Sequence, residues 1–428
     1  PVDDPAEPLP TPEELAARID ELESRQRASE RAARHAATTH AQVQTLLPLR
    51  RFITVFVDIG AFAVAGDGSG IRTDLGHVYF PEYMNQIAGQ WVFMGDPLST
   101  AINALGEPAD TSSSREVPTD TLHSEGRPSA IVNAVGLSIG KEVGHGVAIA
   151  ALAELLPRPG PDLVIVELAR VDYRPSQELD LVISAGKIDS VLGIEYRSQD
   201  APRRLGVTPS LICRYTCGRP IGAQARLVRG RFSGSASLTN GDSFDERFQP
   251  ELALKLTALP TASAHVQWML PLGQGLELGV SGAIGPQDGQ SDPSIAQWHI
   301  GFDARLHDLE RFDVTAEYVQ GLQQGLTTSL TPCNAAACLT YKGAYVLVDR
   351  RVNRWFTPYV RFDWREAVHT SGVDFIYESH TVRSTLGVHL EMTSRIVAKL
   401  EYTINRELGR TPEFPNDIVT SSIVVATD

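Results

Sequence analysis

From about Gly275 to its end the chain runs as successive stretches in which apolar and polar side chains alternate with a period of two. In Arg354–Glu366, Phe356, Pro358, Val360, Phe362 and Trp364 share one face, while Thr357, Tyr359, Arg361, Asp363 and Arg365 share the other. In Arg395–Arg406, Ile396, Ala398, Leu400, Tyr402 and Ile404 oppose Val397, Lys399, Glu401, Thr403 and Asn405. A soluble sandwich also alternates, but it does not need strand after strand of this length with charges held to one face. A transmembrane β-barrel does, because one face meets lipid and the other a wet lumen. The pattern predicts an all-β, antiparallel transmembrane barrel.

Average hydropathy does not oppose this. No apolar run is long enough for a membrane helix, and barrels hide their membrane signal in alternation. A formal charge of −14 with no basic run argues against nucleic acid as a partner. The four cysteines form two close pairs, Cys213/Cys217 and Cys333/Cys338. Such spacing suits loop-closing disulfides in an oxidising compartment. The small-residue loop around Cys333 and Cys338 points to a bond there. Cys213 and Cys217 are left open between a bond and two thiols at a strand end. No further Cys or His stands at ligand spacing, so no metal or cofactor is expected.

Three regions follow from composition. Residues 1–12 carry prolines at 1, 5, 8, 10 and 12 and read as extended chain. Residues 13–47 keep a 4-3-4-3 seam through Leu15, Ile19, Leu22, Gln26, Ser29, Ala33, Ala36, His40, Val43 and Leu47. That seam predicts a coiled-coil helix, with a solvated linker helix as the alternative. Residues 48–428 form the barrel. Gly66–Arg127, rich in Gly, Pro, Ser, Thr and Asp, shows no strand pattern and reads as a long loop.

Sixteen strands are expected near 52–64, 131–139, 144–155, 162–173, 178–188, 220–229, 231–240, 262–271, 275–285, 295–306, 311–322, 339–350, 354–366, 380–391, 394–406 and 416–427. Short connections, such as Gly140–Val143 and Gly230, alternate with long ones, such as Asp189–Arg219 and Ala367–Ser379. An even strand count with short turns at one rim puts both chain ends on the periplasmic side. The lipid face is expected to carry Val266, Trp268, Leu270, Ala296, Trp298, Ile300, Phe302, Leu339, Tyr341, Tyr345 and Leu347. The lumen face is expected to carry Asp303, Arg305, Asp313, Glu317, Lys342, Arg350, Arg361, Asp363, Arg365, Arg383, Lys399 and Glu401, a mixture of signs.

Chemical motifs are weak. Asp67–Asp74 has oxygen donors and glycines but lacks the spacing of a calcium loop. Gly136-Leu-Ser-Ile-Gly140 fits the five-residue pattern of a nucleophile elbow around Ser138, yet no acid and base can be singled out for it. A strand running into a turn is the simpler reading, and no enzyme is expected.

Three segments resemble one family. Ala185-Gly-Lys-Ile-Asp-Ser-Val-Leu-Gly-Ile-Glu-Tyr196 is similar to a strand-to-loop passage, Phe232–Gly241 to a strand ending in Asn-Gly, and Asn416–Ala426 to a closing strand, of the sixteen-stranded trimeric porins of Gram-negative bacteria. Within these, the likeness is to the phosphate-selective O and P group, over roughly residues 50–428. The resemblance implies outer-membrane localisation and lipid contact, a homotrimer, a constricting loop folded inward after the fifth strand (Asp189–Arg219), and in some members a periplasmic coiled coil. Arg203, Arg204 and Arg214 are then the candidates for the constriction. Two features depart from the family: the lumen alternates in sign where a basic ladder is usual, and the chain ends in Ala-Thr-Asp where an aromatic is usual. The implied function is passive diffusion of small hydrophilic solutes or ions. The alternatives are a barrel tethering the envelope or cell wall through residues 13–47, and a substrate-specific anion or sugar channel.

Overall fold

The computed structural model describes residues 53–64, 129–155, 164–175, 180–240, 260–272, 275–286, 296–309, 311–324, 338–370, 376–408 and 417–427. The expected N-terminal stretch, the coiled-coil helix 13–47, the segment Gly66–Arg127 and Cys333 lie outside them.

Sixteen strands close into one antiparallel barrel. They are β1 (Ile53–Val64), β2 (Ser129–Gly144), β3 (Val147–Leu155), β4 (Val164–Tyr173), β5 (Asp180–Lys187), β6 (Ile221–Arg229), β7 (Phe232–Asn240), β8 (Thr261–Leu270), β9 (Leu276–Pro286), β10 (Ala296–Leu309), β11 (Phe312–Gln324), β12 (Cys338–Arg350), β13 (Phe356–Thr370), β14 (Ile376–Thr393), β15 (Ile396–Glu407) and β16 (Ile418–Ala426). Each strand pairs with its neighbours in sequence, and β1 pairs with β16 from Phe56↔Ala426 to Val64↔Ile418. Just beyond, Thr427 N–H donates to Val55 O at 2.8 Å, and Val55 N–H donates to Thr427 Oγ1 at 2.9 Å. Closure removes the free edges that lipid could not hydrogen-bond.

Every expected strand has its counterpart, with shifted ends. The turn between β2 and β3 falls at His145-Gly146, not at Gly140–Val143. Both residues have positive φ, 55° and 75°, the geometry that lets a two-residue turn follow the twist of its strands. The connection expected at Ala367–Ser379 is shorter, because β13 runs to Thr370 and β14 begins at Ile376. Ser138 lies in mid-strand on β2, and Val147–Leu155 is a strand, so no strand–turn–helix elbow forms there.

The outward face is ordered in rows. Val314, Val348, Val360, Leu386 and Tyr402 are direct partners across β11 to β15. The next row towards the long-loop rim is Ala316, Val346, Phe362, Ser384 and Ile404, then Tyr318, Ala344, Trp364, Val382 and Arg406. Above these comes a polar row, Gln320, Lys342, Glu366 and His380. Lys342 Nζ lies 3.2 Å from Glu366 and over the Trp364 ring, whose Nε1 donates to His380 Nε2 at 3.0 Å. Towards the short-turn rim, Arg350 covers the Phe312 ring.

This corrects the phase of β12. Lys342 and Arg350 face outward, whereas Tyr341 and Tyr345 are buried on the lumen side. The two cations bracket an apolar band about 26 Å long along the strand at ~3.3 Å per residue. A strand tilt of about 40° reduces this to roughly 20 Å of height, somewhat below the typical lipid-facing band. A charge at the band's rim reaches water and headgroups; one in its middle does not. Phe362, 51% exposed, sits in the middle row. Phe362→Arg should therefore lower barrel stability by about 2–4 kcal/mol in bilayers. Reversible denaturant titration in lipid vesicles would measure this, and a change near zero would remove lipid from that face.

The lumen and its inward loop as candidate functional site

Between β5 and β6 the chain does not cross the rim. Residues 188–220 turn into the bore, with one 3-10 turn at Glu195–Ser198 and one helical turn, α1, at Cys213–Thr216. The composition explains why this segment stays inside. Ile188, Val191, Leu192, Val207, Leu211 and Ile212 are all at most 1% exposed. A loop this apolar gains by leaving water.

The loop meets the wall on nearly every side. Ala201 joins an apolar cluster of Phe56, Ala134, Leu152 and Val424 on β1, β2, β3 and β16. Gly136 makes room for that cluster, since a Cβ there would stand 2.0 Å from the Phe56 ring. At β4, Arg170 Nη1 lies 2.6 Å from Asp189, and Arg219 reaches Asp189 (3.1 Å), Glu167 (3.1 Å) and Asp200 (2.5 Å). Burial pushes the Asp189 carboxyl up, but Arg170 and then Arg219 overcome it and hold it well below the usual range. At β6, Arg226 Nη2 donates to Ser190 O at 3.2 Å. At β8, Arg197 Nη2 donates to Gln267 Oε1 at 3.3 Å.

Wall carboxylates capture the loop's backbone N–H groups. Glu317 on β11 accepts from Ile194 (3.2 Å) and Glu195 (3.4 Å), and Asp363 on β13 accepts from Leu211 (3.1 Å). Glu401 on β15, fully buried, accepts from Val207 N (2.9 Å), Thr208 N (2.9 Å), Thr208 Oγ1 (2.8 Å) and Tyr359 Oη (2.5 Å). Wall cations capture its carbonyls. Arg361 donates to Thr208 O (2.7 Å) and Pro209 O (2.9 Å) while its Nε holds Asp363 at 2.8 Å. Lys399 Nζ donates to Ala201 O (2.7 Å) and Gly206 O (3.2 Å). His389 Nδ1 lies 2.8 Å from Leu205 O.

The α1 turn is seated on β12. The Tyr215 and Tyr341 rings stack at 3.9 Å, Arg365 lies 5.9 Å above Tyr215, and Ile212 fits against Gly343, where a Cβ would stand 2.6 Å from it. Cys213 and Cys217 are joined, with Cα atoms 5.0 Å apart. Glu195 offers a third donor atom within 4.8 Å of both sulfurs. The sulfurs are bonded to each other, so the trio does not form a metal site in this state.

Among the expected pore liners, Asp303, Arg305, Asp313, Glu317, Arg361, Asp363, Arg365, Arg383, Lys399 and Glu401 face the lumen. They divide by what they touch. Glu317, Arg361, Asp363, Lys399 and Glu401 grip the loop. Asp303 and Glu317, direct partners across β10 and β11, are like charges that would repel. Each has its own partner: His265 Nε2 lies 2.8 Å from Asp303, and the loop N–H groups serve Glu317. Arg305 is exposed, and Asp313 is half-buried near the short-turn mouth. Asp349, opposite Asp313 on β12, is the lumen residue that the mistaken phase of that strand hid.

Of the constriction candidates, Arg203 is exposed in the loop, and Arg204 donates to Gly206 O and Gln199 O within it. The Arg214 side chain lies outside the described residues. The basic groups that tie the loop to the wall are Arg170, Arg226, Arg361 and Lys399 of the wall together with Arg197 and Arg219 of the loop, none of them among those three candidates.

No sequence-family profile and no curated protein sequence matches this chain. Solved structures do. The outer membrane channel DcaP of Acinetobacter baumannii superposes with TM-score 0.54 at 9% identity, over 88% of this chain and 96% of that one. OmpF of Salmonella typhi, in complex with daunomycin, superposes with TM-score 0.50 at 8% identity, over 88% of this chain and 97% of that one. At such identities the likeness is one of architecture: a closed sixteen-stranded barrel of the kind built by these outer-membrane proteins.

Proposed function

We propose that this protein is an outer-membrane porin through which small hydrophilic solutes or ions diffuse passively. The observation that carries the reading is a closed barrel with an apolar outer band, a polar lumen and an inward loop held by charged wall residues. The short turns lie on the periplasmic side. Exposed Arg203 and Arg305 with half-buried Asp313 and Asp349 are the charges that meet solute, and their mixed signs give weak ion preference.

The loop's reach to the wall on nearly every side favours a narrow bore. A substrate-selective channel is therefore the second reading, ahead of a wide general pore. Phosphate selectivity has no support in a lumen of mixed sign. Association into a homotrimer belongs to the same proposal. The wall from β3 to β8 has strands of 8–10 residues against 13–18 on β10 to β14. Packing the low wall against another copy relieves its mismatch with the bilayer.

Planar-bilayer recording of the purified protein tests the central reading, and an absence of conductance at all voltages would sink it. The double variant Asp313→Asn/Asp349→Asn should shift the reversal potential in a salt gradient towards anions. An unchanged potential would remove these two carboxylates from the conduction path.

A further inference from the structure

We propose that the Cys213–Cys217 bond is a redox lock on the constriction: while it stands, the α1 turn stays seated on β12 and β13, and when it is broken the turn leaves its seat and the bore changes. This rests on the diffusion reading and adds a regulation of the same site.

The reasoning starts from the size of the turn. α1 comprises four residues, with Cys217 N–H donating to Cys213 O at 2.7 Å. Nucleating a helix fixes several dihedrals for one hydrogen bond, so a single turn does not hold itself. The capping position, Ile212, offers no side-chain acceptor, and upstream Ser210 Oγ accepts from Cys213 N, at 3.2 Å. The covalent link then ties the first residue of the turn to the residue that ends it.

The position of the bond gives it leverage. Tyr215, which stacks on Tyr341, lies inside the five-residue ring that the disulfide closes. Ile212 and Leu211, which meet Gly343 and Asp363, lie just before it. The two sulfurs also pack against Tyr196, on the other limb of the loop. Arg197 and Arg226 lie 5.6 and 5.5 Å from the Tyr196 ring centre. One bond thus sets the shape of the turn and the contact between the two limbs that cross the bore.

The chemistry balances with a dithiol as reductant. The S–S bond breaks, each sulfur takes one electron and one proton, and the dithiol closes to its own disulfide. The thiols no longer need to lie at bonding distance, and the Tyr215 seat loses its support.

The test uses the full protein in detergent and in planar bilayers, oxidised, reduced by a dithiol and reoxidised. Amide exchange of Leu211 and Cys217 should quicken on reduction by roughly tenfold, the factor given by the loss of one net hydrogen-bond's free energy. Single-channel conductance should change on reduction and return on reoxidation. Cys333→Ser/Cys338→Ser should keep this response. Cys213→Ser/Cys217→Ser should behave as reduced protein in either buffer. Equal exchange in the oxidised and reduced states overturns the lock, as does a response that follows Cys333 and Cys338. Protein that conducts in neither state sinks the diffusion reading, while amide exchange still decides the lock.

Discussion

Glu401→Ala should open the constriction more than any other single change on the wall. The carboxylate is fully buried and collects Val207 N, Thr208 N, Thr208 Oγ1 and Tyr359 Oη. Its removal strands these donors and Thr420 Oγ1, 3.5 Å away, each costing about 1–3 kcal/mol if it stays dry. The limb from Leu205 to Thr208 will therefore leave the wall for lumen water. Lys399 and His389, which hold Ala201, Gly206 and Leu205 carbonyls, cannot replace an acceptor. Single-channel conductance should rise severalfold, with added open-state noise. Glu401→Gln keeps one acceptor oxygen and should lie between alanine and the native residue. A conductance unchanged in the alanine variant would show that this limb does not border the conducting path.

Arg361→Ala should cost the most stability. The guanidinium is 6% exposed and holds Asp363 through Nε while donating to Thr208 and Pro209. Without it, the fully buried Asp363 loses the cation that lies 2.8 Å from it. Breaking a buried pair on one side typically costs about 3–5 kcal/mol. Removing both members should be milder, so Arg361→Met/Asp363→Leu is expected to recover part of the loss. Equilibrium unfolding in urea with lipid vesicles measures both, and a single-variant loss below about 1 kcal/mol would place the pair in water.

Different physics explains why the strands and the loop's grip were not equally readable in the chain. Strand positions follow from a local period: lipid outside and water inside force neighbours to opposite faces. β13 and β15 show this along most of their length, with the charges Glu366 and Arg406 on the outward face only towards the long-loop rim. β12 misled because its two faces are chemically close. Tyr341 and Tyr345 look lipid-facing, yet Tyr341 meets His299 and stacks on Tyr215 inside, and Tyr345 is buried on the same face. Lys342 and Arg350 look lumen-facing, yet they lie beyond the ends of the apolar band. The turn at His145-Gly146 carried its signal in a glycine after a residue tolerant of positive φ, one step later than expected.

The burial of the loop had a legible trace. Ile188, Val191, Leu192, Val207, Leu211 and Ile212 are too apolar a set for a segment left in water. Its partners had none. Glu317 meets Ile194 from 123 residues away, Glu401 meets Val207 from 194, and Arg361 meets Thr208 from 153. Read alone, each of these charges is an ordinary polar residue on a wet face.

The amino-acid order by itself determined the closed antiparallel barrel, its strand count and which end of each hairpin is short, because those follow from side-chain alternation along a single strand. Only the tertiary structure decided which lumen charges face solute and which grip the loop. That division depends on where a 33-residue segment lies against strands far away in sequence, and no local pattern encodes it.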